Sequence, residues 1–176
     1  ALASYSSNLG TSLRDRYVRT GRLEDLNEAI QAYLHAVERT PAEALELPGY
    51  LNNLGIGLHD RYMAVRNFED LEESLKVYRQ AIERLQQRGQ VLAQVYNNLG
   101  IGLQNRYTVS GDLTDLDEAV AAYQQAIALE QPDSPNLPAR QNNLASTLLA
   151  RYRAGEKAEA LEQAIHLFRS AVEHTP

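Results

Sequence analysis

The stretch NNLGIGLHDRY, Asn52–Tyr62, is written again as NNLGIGLQNRY at Asn97–Tyr107, with nine of eleven residues identical at a separation of 45. The same frame extends to both sides. Asn8, Asn53, Asn98 and Asn143 stand 45 apart, and so do Arg16, Arg61, Arg106 and Arg151, and Tyr17, Tyr62, Tyr107 and Tyr152. Self-similarity at a fixed period of this size marks a repeat architecture. Four units, about 1–45, 46–90, 91–135 and 136–176, fill the chain without a register slip and are expected to form a single array over 1–176.

Each unit divides into two helical halves. In the first unit Tyr5, Leu9, Leu13 and Tyr17 recur every four residues, and Gly21 then breaks the pattern, as Gly111 does in the third. In the second half Leu26, Ile30, Tyr33 and Val37 form a stripe at helical spacing. The stripe returns as Leu71, Leu75, Tyr78 and Ile82, as Leu116, Val120, Tyr123 and Ile127, and as Leu161, Ile165, Phe168 and Val172. Asp25 with Glu28, Asp70 with Glu73 and Asp115 with Glu118 predict a capping box at or near the start of each second helix. Ala160 and Gln163 stand there in the fourth unit, which predicts a weaker cap. Breaker-rich loops are expected at Pro41 to Gly49, Gln86 to Gln90 and Gln131 to Pro138. No strand pattern occurs. Eight helices in four hairpins, none able to bury a face alone, predict an all-α superhelical solenoid of helix-turn-helix units.

Composition narrows the function. The 176 residues are 44% hydrophobic and 23% charged, with a formal charge of −6 of mixed sign, which argues against a nucleic-acid partner. There is no cysteine, so disulfides and thiolate metal sites are excluded. No apolar run approaches the roughly 20 residues that span a bilayer, so no membrane partner is expected. A cytoplasmic chain is the expectation, and because Ala1 already lies inside a helical pattern, a piece of something longer.

The residues resemble the tetratricopeptide repeat family. Leu9-Gly10, Ala29-x₃-Tyr33 and Pro41 match that unit's Leu-Gly, Ala-x₃-aromatic and closing proline. The other units offer Leu54-Gly55 with Ser74-x₃-Tyr78, Leu99-Gly100 with Ala119-x₃-Tyr123, and Leu144-Ala145 with Ala164-x₃-Phe168 and Pro176. Ala36, Ala81, Ala126 and Ala171 fall where the family packs its helices tightly. The period is longer than the family's usual one, with an added turn that carries the Arg-Tyr pair. HEAT and armadillo units have similar periods but lack these pairs. Long units of this form are similar to those found beside caspase-like (CHAT) protease or NTPase signalling domains. The resemblance implies a right-handed superhelix whose concave groove binds a protein or peptide.

Chemistry is not visible in the pattern. There is no P-loop, HExxH or Gly-x-Ser-x-Gly, and His35, His59, His166 and His174 do not share a repeat position. Glu162 and His166, four apart, have a spacing that can serve metals but read as solvated surface. Neither an enzyme nor a cofactor or metal is expected.

The repeated polar residues need a reason beyond packing, because asparagine is a poor helix former. By the resemblance, Asn8, Asn53, Asn98 and Asn143, doubled by Asn52, Asn97 and Asn142, line the groove as a ladder of amides that can pair with a peptide main chain. The other reading is that these amides bond a neighbouring helix and set the spacing of units. Ile56 and Ile101, one turn on, are expected on the same face, at the places of Thr11 and Ser146. Arg14, His59, Gln104 and Leu149 follow another turn along and shift the polarity from one end to the other. No basic pair stands around the groove asparagines, so a carboxylate clamp for a partner's terminus is not expected. Gly57 and Gly102 are read as places of close helix approach. The arginines Arg16, Arg61 and Arg106 are read as partners of Asp25, Asp70 and Asp115 across each hairpin, the alternative being a basic edge for an acidic ligand. The alternative role is a structural spacer or self-association segment with no peptide ligand, and Ile165, Phe168 and Val172, under-covered at the last unit, raise end-to-end homo-association.

Overall fold

The computed structural model describes residues 1–155 and 158–173, so the closing Pro176 and His174 lie outside the described residues. Among the described residues eight helices follow one another: α1 (Leu2–Thr20), α2 (Leu23–Glu38), α3 (Leu47–Val65), α4 (Phe68–Gln86), α5 (Ala93–Ser110), α6 (Leu113–Ala128), α7 (Leu137–Arg153) and α8 (Ala158–Glu173). No strand occurs among the described residues. The fold is an all-α repeat of four helix-turn-helix hairpins, of the solenoid class.

The helix ends differ from the sequence expectation in two places. The capping box is not formed by Asp25, Asp70 and Asp115. Asn67 and Asp112 occupy the caps of α4 and α6 and accept from the Glu69 and Thr114 N–H groups at 3.2 and 3.0 Å, while Arg22 stands at the cap of α2 without such a bond. The expected aspartates lie a turn inside and are buried, because an arginine across the hairpin claims them. Pro48 and Pro138, read as loop, lie in the first turns of α3 and α7. A proline fits there because its missing N–H has no helical partner to lose. Helices α1 and α5 end on Gly21 and Gly111 in the left-handed conformation, whereas α3 ends on Arg66 at φ 59°.

Two compact units form, Ala1–Gln90 and Val91–Pro176. In the first, α1 pairs with α2 and α3 with α4, and α3 also packs on α2 and touches α1. The second repeats this plan, with α5 on α6, α7 on α8, and α7 packed on α6 and touching α5.

The second-helix stripes make the cores, with Leu26, Leu71 and Leu116 at most 1% exposed and Tyr33, Tyr78 and Tyr123 at most 2%. The Leu-Gly pair serves these tyrosines. A Cβ at Gly10 or Gly100 would lie 2.6 or 2.7 Å from the ring of Tyr33 or Tyr123, and one at Gly55 would collide with Tyr78. Only glycine lets the ring lie against the first helix. The Ser74 hydroxyl, fully buried beside this contact, donates to the Leu71 carbonyl at 2.7 Å.

The α1 stripe is a correction: Leu13 is buried, but Tyr5 and Leu9 are 68% and 51% exposed. The counterparts of Leu9 in α3 and α7, Leu54 and Leu144, have a hairpin ahead of them to pack on and are buried. Of the repeated tyrosines only Tyr62 is buried; Tyr17 and Tyr107 are half-buried and Tyr152 is exposed.

Candidate partner-binding face

Three arginines clamp their own hairpins. Arg16 donates to Asp25 through two nitrogens at 2.7 Å each, Arg61 makes the matching pair with Asp70 at 2.6 and 2.8 Å, and Arg106 donates through two nitrogens to one oxygen of Asp115 at 2.6 and 2.9 Å. Forked pairs of this kind combine charge with fixed geometry. The Asp25 carboxyl is held below its usual value by the hydrogen bond from Arg16. These guanidinium groups are therefore engaged, not arrayed as a basic edge.

The same arginine position also links one repeat to the one before. Arg61 donates to Asn27 of α2 at 3.2 Å, and Arg151 pairs with Asp117 of α6 at 3.0 Å. In the fourth hairpin Ala160 stands where the aspartate would be, so the Arg–Asp fork of the other hairpins is not repeated there.

The asparagines stitch first helices together. Asn53 Nδ2 donates to Ser7 Oγ at 3.2 Å, and Asn143 Nδ2 donates to Asn97 Oδ1 at 3.1 Å, each bond joining helices one repeat apart. Asn97 and Asn98 are under one-tenth exposed, and Asn98 accepts from Gln94 at 2.8 Å. Asn52 and Asn53 are half-buried, while Asn8 and Asn142 are exposed. Arg14 adds a further stitch to Asp60 at 2.6 Å. Ile56 and Ile101 are half-buried. Asn142 borders a cavity of about 440 Å³ with Pro135, Pro138, Ala139, Phe168, Ala171 and Val172, on the α7–α8 side.

The next turn along is mixed in character. Gln104 Oε1 accepts from the Tyr123 hydroxyl at 2.6 Å, and Thr11 from the Tyr33 hydroxyl at 3.4 Å. Burial lowers the pKa of His59, whose ring lies 6.3 Å from that of Tyr62. Gly57 approaches Ile30 and Tyr33 of α2, so that a Cβ there would meet them at 3.1 and 3.3 Å. Gly102 is buried.

One residue escaped the sequence reading. Arg140 is 4% exposed and pairs with Glu130, with longer donations to the Ala126 carbonyl at 3.4 Å and Gln94 Oε1 at 3.5 Å. Burial lowers its pKa. The signal was a break in the repeat, since Tyr5, Tyr50 and Val95 hold the same place. Among the described residues no group of three or more His, Asp or Glu could hold a metal ion, and no helix is long and apolar enough to cross a membrane.

Residues 92–136, one whole 45-residue unit, match the tetratricopeptide repeat family. The other units repeat its pattern in register. The repeats are of the tetratricopeptide type. Among solved structures, BtubC (BKLC) from P. vanneervenii matches with a TM-score of 0.69 and 22% identity, over 98% of this chain and 63% of that one. A putative kinesin light chain of Podosopora anserina with nearly identical TPR-like repeats matches at 0.61 and 17%, over 97% and 76%. A third, the DHF58 filament, matches at 0.52 and 17%, over 98% and 92%. The chain thus spans 63% of the length of the first of these. No curated protein sequence matches significantly. These similarities show the fold, and stacked tetratricopeptide units serve as interaction scaffolds through the extended surfaces they create.

Proposed function

We propose that the chain is a protein-interaction scaffold and that its first-helix faces take a peptide or helical segment of a partner protein. The supporting observation is the layout of α1 and α3 in the first unit. Two polar stitches, Asn53 to Ser7 and Arg14 to Asp60, hold the helices side by side, and half-buried Ile56 lies along α3 between them. Asn53 uses one amide hydrogen on Ser7 and keeps a second donor and its carbonyl oxygen for a main chain. Asn52 and Asn8 extend this face in the first unit, and Ile101 with Asn142 and Asn143 form its counterpart in the second, where buried Asn97 and Asn98 support the face from behind. Ile56 supplies the apolar contact and the amides the orientation.

The test is a displayed-peptide selection against the chain, with Ile56→Lys and Asn53→Ala run beside it. Enriched peptides should lose binding to the folded Ile56→Lys chain. If no peptide prefers the parent over that variant, the face is not a ligand site and the asparagines act only between helices.

A second reading is favoured by the last helix. Val172 is 76% exposed beside the 440 Å³ cavity, an apolar face suited to association of the chain with itself.

A further inference from the structure

A tyrosine ring lies against the first helix in each of the first three hairpins, and the hairpins differ in what receives its hydroxyl. The Tyr33 hydroxyl donates to Thr11 Oγ1 at 3.4 Å, and the Tyr123 hydroxyl donates to Gln104 Oε1 at 2.6 Å. In the second hairpin Ile56 stands at the place of Thr11, and His59 at the place of Gln104. Isoleucine has no acceptor to offer. Among the described residues no hydrogen bond reaches the Tyr78 hydroxyl, from His59 or from any other group. The fourth hairpin has Phe168 at this place and no hydroxyl to satisfy.

We propose that the Tyr78 hydroxyl is a specificity-determining contact of the first-helix face, donating to a main-chain carbonyl of the partner segment that packs on Ile56. This assignment rests on the peptide-binding reading and adds the polar contact beside its apolar one.

The surroundings of the ring aim the hydroxyl at that face. A Cβ at Gly55 would lie 2.8 Å from Tyr78 Cζ, the carbon that bears the hydroxyl, so this end of the ring passes the α3 backbone next to Ile56. Arg14 of α1 and Asp60 of α3 both act on the phenol electrostatically, which brings its oxygen towards the stitch that joins these two side chains at 2.6 Å. Ile56 is half-buried on the same stretch of α3.

The chemistry then selects the group that can bind. Tyr78 is buried, and burial raises its pKa well above the ordinary value of 10.0, so the phenol keeps its proton and acts as a donor. A buried donor without an acceptor bears its desolvation cost uncompensated, and an oxygen supplied by a partner recovers it. A site of this kind discriminates against segments that lack the matching polar group. The acceptor is neutral, because the Arg14 guanidinium is already engaged by Asp60 and the Asp60 carboxylate would repel a second anion.

The experiment compares Tyr78→Phe with Tyr123→Phe and Ile56→Lys, each checked for helicity by circular dichroism. The probes are peptides enriched on the parent chain from a displayed random library. Tyr123→Phe takes the donor from Gln104 and should lower the melting temperature, whereas Tyr78→Phe should melt at or above the parent. Tyr78→Phe should weaken peptide binding about tenfold, by a ratio that added salt leaves unchanged. If peptides released by Ile56→Lys bind Tyr78→Phe as tightly as the parent, this contact fails while the face stands. A Tyr78→Phe chain that melts lower, as Tyr123→Phe should, would place the hydroxyl's partner within the chain and also overturn it. A ratio that collapses in salt would make the acceptor a carboxylate and contradict the main-chain assignment. If no enriched peptide prefers the parent over Ile56→Lys, the contact and the peptide-binding reading fall together.

Discussion

In the first three hairpins a glycine on the first helix lets a tyrosine ring lie against the backbone, and an Arg–Asp fork closes the turn end. The fourth has Ala145 and Phe168 at the places of that glycine and tyrosine, and Ala160 where the fork's aspartate would stand. Ala145 is fully buried, and Phe168 is half-buried beside a cavity. Arg151 pairs with Asp117 of the preceding hairpin. The difference teaches that the repeated motif carries two separable jobs, closing a hairpin and joining hairpins, and that the last unit keeps the second while giving up parts of the first.

Acid should act most strongly, because it attacks the Arg16–Asp25 fork of the first hairpin. The folded Asp25 carboxyl lies below its ordinary value of 3.8, so its contribution is complete above that value and is lost as the pH falls through the lowered one. Melting temperature should drop between about pH 5 and pH 2, and the Asp25→Asn chain should lose less over that range than the parent. Next is Asp70→Ala, which strands the Arg61 guanidinium and should cost about 3 kcal/mol in urea unfolding. An equal cost for Ala substituted at Glu73, exposed on the same helix, would remove the special role of the fork. Gly55→Ala, which drives a methyl into the Tyr78 ring, should cost about 2 kcal/mol. Ala145→Gly in the fourth hairpin should show no comparable clash in reverse. The smallest effect is expected at Arg66, where a left-handed residue other than glycine ends α3. Arg66→Gly should stabilise by about 0.5 kcal/mol, the gain being reduced by loss of the guanidinium contact over Tyr62 at 5.5 Å.

The architecture was legible because period and stripe are one-dimensional signals. Four units, eight helices and the arginine–aspartate partnership all follow from residues that recur 45 apart. Helix starts were less legible. Asp25 and Glu28 spell a capping box, yet the aspartate's partner comes from another helix, which spacing along one helix does not reveal. The asparagines show the same limit: a ladder of amides reads equally as ligand contact or helix stitch, and the distances from Asn53 to Ser7 and from Asn143 to Asn97 put at least one donor of each into stitching. Exposure of Tyr5 and Leu9 depends on which helix covers a stripe, and the stripe itself is silent on that. Arg140 was hidden for the opposite reason, since a charged residue in a core place declares itself only through its partner Glu130.

The most direct test of the two-job account is to give the fourth hairpin what the others have. In the chain carrying Ala145→Gly, Phe168→Tyr and Ala160→Asp, amide exchange would be followed along α2 and α8. The account predicts that α8 exchanges faster than α2 in the parent and slows in the triple variant, with α2 unchanged. Equal protection of α2 and α8 in the parent, or an α8 indifferent to the transplant, would contradict it.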